Sequence, residues 1–344
     1  MKTKHSLPDF CTFYHDAVRV ELEKVIANAP SALCNMLRYQ MGWQDEHGYP
    51  CNRESGKFIR PTLCLLSCQT VGGDTSRIMP AAAAIELIHK FSLIHDDIED
   101  ASHERHHRPT VWKLWGQPQA INAGDAMFTL AYSALLELKD TGIADERIVG
   151  STRILSQACW ELCDGQYLDL EYENRLDITI ANYLDMAAGK TAALLAASTS
   201  LGAYLGSEDS RLVDFFHLFG KDLGMAYQIR DDIMGIWGTE ESTGKSAGDI
   251  SQRKKTLPVV HGLQNSKGEV RERLHKLYSQ DSIEGEDIDE VRKILNQLGA
   301  RDYAENLAEQ YYCRALAQLK AARLDTSGQA PLEEIACFLL KRDF

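Results

Sequence analysis

The feature that most limits the fold of this chain is its run of long apolar segments. They are rich in Ala and Leu, recur at helical spacing, and show almost none of the Val/Ile/Thr alternation of strands. Nine prolines and twenty-four glycines are few for 344 residues, and they gather between those segments. One strand-like stretch, Asp177 to Ile180, runs into ANYLDMAAGKTAALLAA and reads as a helix opened by an Asp cap. Breaks are expected at Gly42 to Pro50, Val71 to Thr75, Arg105 to Pro109, Gly206 to Asp209 and Gly238 to Gly248. None has the length or Pro/Ser richness of a domain linker, and no tandem repeat or low-complexity tract stands out. The expectation is an all-α chain, residues 1–344 forming a single domain of about ten or more helices packed on helices.

Charge narrows the function. Thirty-seven Lys and Arg against fifty Asp and Glu leave a formal net charge of −13. A surface that acidic suits nucleic acid poorly, because phosphate binding needs basic patches. The longest greasy stretch, Thr191 to Gly206, is broken by Ser and Thr and falls short of a membrane span. The start, MKTKHSLPDF, lacks a signal-peptide core. Nine cysteines, an odd number without a CxxC, fit reduced thiols in the cytoplasm.

Chemistry concentrates in two places. The first is His95-Asp96-Asp97-Ile98-Glu99-Asp100, at the tail of a helix beginning near Ala81. Asp96 and Asp100 lie about 40° apart on one face, with His89 about 20° from Asp96. Like charges so spaced cost roughly 0.2–0.5 kcal/mol per pair, and a helix C-terminus disfavours anions further. A divalent cation would remove both penalties, and all-oxygen ligands suit Mg²⁺. A lone DDxxD is as well explained by a solvated acidic face, but AAAAIELIHKFSLI just upstream indicates a helix buried on most sides.

The second constellation, Arg230-Asp231-Asp232-Ile233-Met234-Gly235, again follows an apolar helix. Behind it come Gly244-Lys245 through Asp249-Ile250, then Arg253-Lys254-Lys255. Carboxylates trailed by lysines suit a metal-bridged polyanion: the carboxylates hold cations, the cations hold one side of a diphosphate, and Lys or Arg hold the other.

With these motifs the sequence resembles the trans-isoprenyl diphosphate synthases, or polyprenyl synthetases. Eight strings carry the resemblance in order from Gly56 to Pro258: GKFIRP, ELIHKFSLIHDDIED, RHHRPTVW, GDAMF, GQYLDL, GKTAAL, YQIRDDIMG and TGKSAGDI. It implies the isoprenoid synthase fold, a helical bundle around a central cavity. It also implies a Mg²⁺-dependent prenyltransferase that joins isopentenyl diphosphate to an allylic diphosphate, with about three substrate-bridged Mg²⁺ per site.

In that resemblance Asp96, Asp100 and Asp231 hold metal, with Asp97, Asp232, Asp169 and Asp249 as supporting carboxylates. Arg105, Lys190, Lys245 and Lys254 bind the allylic diphosphate. Gly56, Lys57, Arg60 and His89 bind isopentenyl diphosphate. Gln166, Thr191 and Gln228 line the reacting centre. A homodimer is also implied.

Three residues depart from the family pattern. Gly235 stands where many members carry a third Asp, His106 replaces the second of two tandem arginines, and Arg253 replaces a Gly. A neutral imidazole is no guanidinium fork, and Arg108 or His107 are the candidates to make up the charge. Should isopentenyl diphosphate not be used, a class I terpene synthase on the same scaffold is the alternative, and a non-catalytic subunit a third. The pairs Cys64/Cys68 and Cys159/Cys163 read as core positions, and His103, His106 and His107 as loop residues rather than a zinc site.

Product length turns on Ser92 and Phe91, four and five residues before the first Asp. Ser92 is small where a farnesyl diphosphate synthase often has an aromatic floor; Phe91 resembles the stop of geranylgeranyl synthases. Helical spacing puts Phe91 off the aspartate stripe, so it would act from the side. The expected product is geranylgeranyl diphosphate, with farnesyl diphosphate the alternative.

Overall fold

The computed structural model describes residues 8–27, 32–51, 53, 56–238 and 248–341. Most of them are helical, in ten or more helices as expected. In chain order these are α1 (Asp9–Ala27), α2 (Leu33–Met41), α3 (Ile59–Thr70), α4 (Met79–Glu99), α5 (Val111–Trp115), α6 (Gln117–Leu136), α7 (Asp145–Tyr172) and α8 (Ile180–Ala187). Then follow α9 (Ala193–Gly206), α10 (Ser210–Trp237), α11 (Gly248–Ser251), α12 (Leu257–Asn265), α13 (Gly268–Tyr278), α14 (Glu286–Gln297), α15 (Ala300–Ala321) and α16 (Thr326–Leu340).

Two helices explain why the bundle closes. On α4, Pro80 stands in the first turn, and Ala81 to Ile85, Leu87 and Ile88 are fully buried. A helix apolar on every side belongs in a core, and α4 packs among α1, α3 and α6. The greasy stretch that ends at Gly206 is α9, equally buried against α3, α7 and α10. Its hydroxyls tolerate burial because Ser198, Thr199 and Ser200 donate to the carbonyls of Leu194, Phe216 and Ala196 at 2.6–2.7 Å. No described helix is long and apolar enough to cross a membrane.

Local departures from the expectations have simple causes. Asp177 does not cap a helix; it pairs with Arg175, and Thr179 caps α8 in a reciprocal box with Asn182. The expected continuous helix through GKTAAL is interrupted by a π-turn over Ala188–Ala192. The break at Arg105 to Pro109 is an antiparallel hairpin, β1 (Glu104–Arg105) with β2 (Arg108–Pro109). His106 and His107 form its two-residue turn with φ of 52° and 59°, the left-handed geometry such turns require. Most of the break from Gly238 to Gly248 lies outside the described residues.

Candidate active site

The tail of α4 presents its carboxylates to cations from three separate elements. Arg105, on β1, donates through Nη2 to Asp96 Oδ2 and through Nε to Asp97 Oδ1, both at 2.8 Å. Lys190 Nζ lies 3.3 Å from Asp96 Oδ1 and donates to Asp169 on α7. Lys254, just before α12, donates to Asp100 Oδ2 at 3.1 Å. The like-charge cost expected of this helix end is thus offset by protein cations. Burial works against ionised Asp96, yet Lys190, Arg105 and Lys254 hold its carboxyl below the ordinary value. Asp97 is almost inaccessible, and burial pushes it up to about 6 despite Arg105.

The hairpin aims Arg105 because its far strand is tied down. Arg108 donates to the carbonyls of Tyr39 and Gln44 and lies 4.1 Å from the Tyr39 ring centre. Thr110 Oγ1 and Trp112 Nε1 both donate to Ser102 O at 2.8 Å. The RHHRPTVW string therefore mostly builds a clamp. Arg108 is engaged in it and is not available to replace the missing arginine.

Lys190 is delivered by the π-turn, and glycines make that turn possible. A Cβ at Gly165 of α7 would lie 2.0 Å from Lys190 N, and one at Gly189 would lie 2.6 Å from Glu161 O. Only glycine allows the two backbones so close, which links the GQYLDL and GKTAAL strings in space. A π-bulge at this point is a recurrent functional device, and helical periodicity carried no sign of it. The turn also sets Thr191 Oγ1 to donate to Gln228 Oε1 on α10 at 2.5 Å.

At the tail of α10 the two aspartates part ways. Asp231 is exposed. Asp232 is buried and accepts from Gln228 Nε2 and from the backbone N–H of Leu257, both at 2.8 Å. With both oxygens engaged it anchors α12 to α10, and burial pushes it up to about 7. Asp249 is pushed up to about 6 by burial, with Asp231 and Asp169 adding to the rise and Lys254 opposing it. Gly235 leaves room for it: a Cβ there would fall 1.9 Å from Asp249 Oδ2. A third Asp at position 235 would displace that carboxylate. Arg253 adopts φ of 57°, the conformation that favours a glycine. Lys245 lies outside the described residues.

Of the four residues expected to hold isopentenyl diphosphate, Arg60 and His89 come together, with Arg60 Nη1 3.4 Å from His89 Nε2. Burial, with Arg60 and Lys90 nearby, pushes His89 well below the ordinary imidazole value. Gly56 lies against Lys90 on α4, while Lys57 Nζ sits 5.0 Å from the Phe338 ring centre on α16. A buried pair absent from the sequence reading is Glu86–Lys90, at 3.3 Å. Its only sign was an i,i+4 pair of opposite charges on an apolar helix.

Between α4, α7 and the π-turn lies a cavity of about 380 Å³. Arg60, His89, Asp96, Gln166, Lys190 and Thr191 border it on the polar side. Phe91, Ser92, Leu162 and Leu170 form much of the apolar wall. Phe91, which spacing puts off the aspartate stripe, also lines it, its ring edge-on to Phe128 of α6 at 5.3 Å.

Among the described residues no three His, Cys, Asp or Glu side chains converge enough to hold a metal alone. Asp96 Oδ1, however, is buried with the Lys190 ammonium 3.3 Å away and no well-formed hydrogen bond. Mg²⁺ is commonly held by one or two carboxylates with water and substrate phosphate completing its shell, so the residues fit a metal shared with a diphosphate.

The polyprenyl synthetase family model matches residues 47–298. A (2E,6E)-farnesyl diphosphate synthase of Mycobacterium tuberculosis is 34% identical over 99% of this chain and 94% of its own. A geranylgeranyl diphosphate synthase of the same organism is 36% identical over 88% of this chain and 85% of its own. The crystal structure of a polyprenyl synthetase from Streptomyces coelicolor superposes with a TM-score of 0.87 at 34% identity, covering 94% of this chain and 98% of that one. With paired aspartates, lysines and apolar cavity in one all-α bundle, the chain belongs to the polyprenyl synthetase family.

Proposed function

We propose that this short-chain trans-prenyltransferase condenses isopentenyl diphosphate with allylic diphosphates to make geranylgeranyl diphosphate. The observation that carries the reading is the pairing of Asp96 with Lys190 and of Asp100 with Lys254 next to a cavity that Asp96 and Lys190 share with apolar side chains.

Asp96, Asp100 and Asp231 would hold Mg²⁺ shared with the allylic diphosphate. Held there, magnesium would supply positive charge to offset that of the leaving diphosphate as the allylic C–O bond breaks. Arg105, Lys190 and Lys254, now paired with carboxylates, grip the diphosphate, joined by Lys245. Asp97 and Asp232 steady the two helix ends. Thr191, Gln166 and Gln228 turn oxygen dipoles toward the allylic cation, and the apolar wall keeps water from quenching it. Gly56, Lys57, Arg60 and a neutral His89 hold isopentenyl diphosphate so that its double bond attacks the cation. The departing diphosphate accepts the proton lost as the new double bond forms.

Phe91 on the cavity wall and small Ser92 beside it support the geranylgeranyl product. The farnesyl synthase relative keeps the shorter product as second reading. Incubation with Mg²⁺, an allylic diphosphate and labelled isopentenyl diphosphate tests both, with chromatography of the dephosphorylated products. Label in geranylgeraniol is expected, with longer products from Phe91→Ala and shorter from Ser92→Phe; no change in either variant removes the floor assignment. Unlabelled hydrocarbon would instead indicate a terpene synthase.

A homodimer is part of the proposal. Trp160 and Tyr167 on α7 are 71% and 61% exposed, and Ile121 and Leu136 on α6 are also uncovered, an apolar area suited to a second copy. Light scattering at micromolar concentration should give a dimer, and a monomer refutes it. The nine free thiols support a cytoplasmic location.

A further inference from the structure

Replacing a tandem arginine by His106 leaves the isopentenyl diphosphate site short of one permanent charge. Arg108 cannot supply it, because both its terminal nitrogens donate to carbonyls of α2 and the following loop. His107 is an exposed imidazole at the hairpin turn. Lys90, the residue after His89, is better placed than either.

Its side chain is only 2% exposed, yet it borders a second cavity of about 380 Å³ together with Arg53, Arg105 and His106. Among the described residues, Asp97 is the acidic residue of that wall. On the other side, a Cβ at Gly56 would lie 3.3 Å from Lys90 Nζ, and the Phe58 ring centre lies 6.0 Å away. The ammonium thus stands between the GKFIRP segment and the hairpin turn.

Glu86 balances the charge in the ligand-free protein, with Oε1 3.3 Å from Nζ. A buried Lys–Glu pair is seldom worth more to stability than apolar residues of the same volume. Its position on the wall of a cation-rich cavity offers a reason beyond folding. An ammonium is a compact point charge that needs no bidentate geometry, so it can serve a diphosphate from a different helix than a guanidinium would.

We propose that Lys90 is the compensating cation: it binds the diphosphate of isopentenyl diphosphate in place of the guanidinium missing at position 106, and so sets the affinity for that substrate. The inference rests on the isopentenyl diphosphate site described under the proposed function.

The test is steady-state kinetics of the full-length enzyme with Mg²⁺, each substrate varied in turn. Lys90→Met should raise KM for isopentenyl diphosphate about 10- to 100-fold, the range for a lost hydrogen bond to a charged group. KM for the allylic diphosphate should stay within about threefold, which separates a local effect from general damage. Adding His106→Arg to Lys90→Met should recover most of the loss, while His106→Arg alone should gain little; this non-additivity is the signature of shared work. Lys90→Met strands Glu86 in the core, so the double variant Glu86→Gln/Lys90→Met is measured beside it. A purely structural pair predicts wild-type KM once both charges are gone; the proposal predicts that KM stays high. Unchanged KM for isopentenyl diphosphate in the double variant overturns the proposal, as do equal rises for both substrates or failure of His106→Arg to rescue. A wild-type enzyme that never incorporates labelled isopentenyl diphosphate would instead overturn the underlying site.

Discussion

The two aspartate-bearing helix ends look alike in sequence and are held by opposite means. At the tail of α4, Asp96, Asp97 and Asp100 each meet a protein cation from another element. At the tail of α10, buried Asp232 is held by the neutral side chain of Gln228 and a backbone N–H, while Asp231 is exposed. The second aspartates make the contrast measurable. Both Asp97 and Asp232 are raised chiefly by burial: Asp97 to about 6, with the Arg105 guanidinium opposing the rise, and Asp232 to about 7, with neutral donors opposing it and the Asp249 carboxylate adding to it. A charged partner favours the ionised form more than neutral donors do. The α4 end is assembled by ion pairs before any ligand arrives; the α10 end is fixed by one buried carboxylate, and the other is exposed.

The sharpest way to break this comparison is to remove the leading carboxylate at each end. Asp96→Ala and Asp231→Ala should each lower kcat/KM by about 10²–10³-fold, as for one lost electrostatic stabiliser. Stability should separate them. Asp96→Ala removes a partner from both Arg105 and Lys190 and should cost about 1–3 kcal/mol, discounted for partial exposure. Asp231 is exposed, so its loss should cost less than that of Asp96. Equal melting temperatures in the two metal-free variants, by circular dichroism, would refute the contrast. This differs from the plain like-charge view of DDxxD, in which removing one aspartate relieves repulsion.

A second perturbation addresses only the α10 end. Gly235→Ala places a methyl where Asp249 Oδ2 now lies and should cost about 1–3 kcal/mol through forced displacement. Denaturant midpoints measure it, and a neutral result would mean that Asp249 does not depend on the space at Gly235.

The smallest effect sharpens the comparison through pH. Asp97, Asp249 and Asp232 all have folded values raised above the unfolded carboxyl value near 3.9. The folded protein therefore binds their protons more tightly, and the stability they contribute is full below about pH 4. It is lost as pH rises through about 6 for Asp97 and Asp249 and about 7 for Asp232. Melting in chelator should show stability falling between about pH 4 and pH 7. Asp232→Asn should flatten the upper part of that fall whatever it does to the absolute melting temperature. A slope unaltered by the substitution would mean Asp232 is not held protonated.

Residue patterns alone determined a great deal here. Ala81 to Ile94 is apolar on most faces, so α4 had to be a central helix, and the carboxylates at its end had to lie beside the core. Spacing put Asp96 and Asp100 on one stripe and Phe91 to its side, because an α-helix has a fixed pitch and nothing else is needed to calculate it. The family strings named the cations. Partners across the bundle were another matter, since they depend on where separate helices cross. Nothing local says that Arg108 is engaged in a clamp, that a π-turn presents Lys190 to Asp96, or that Gly235 makes room for Asp249 fourteen residues on. Nor does periodicity say that Lys90, one residue past His89, faces a different cavity. Those are contacts between segments far apart in the chain, and only the packed structure brings their atoms together.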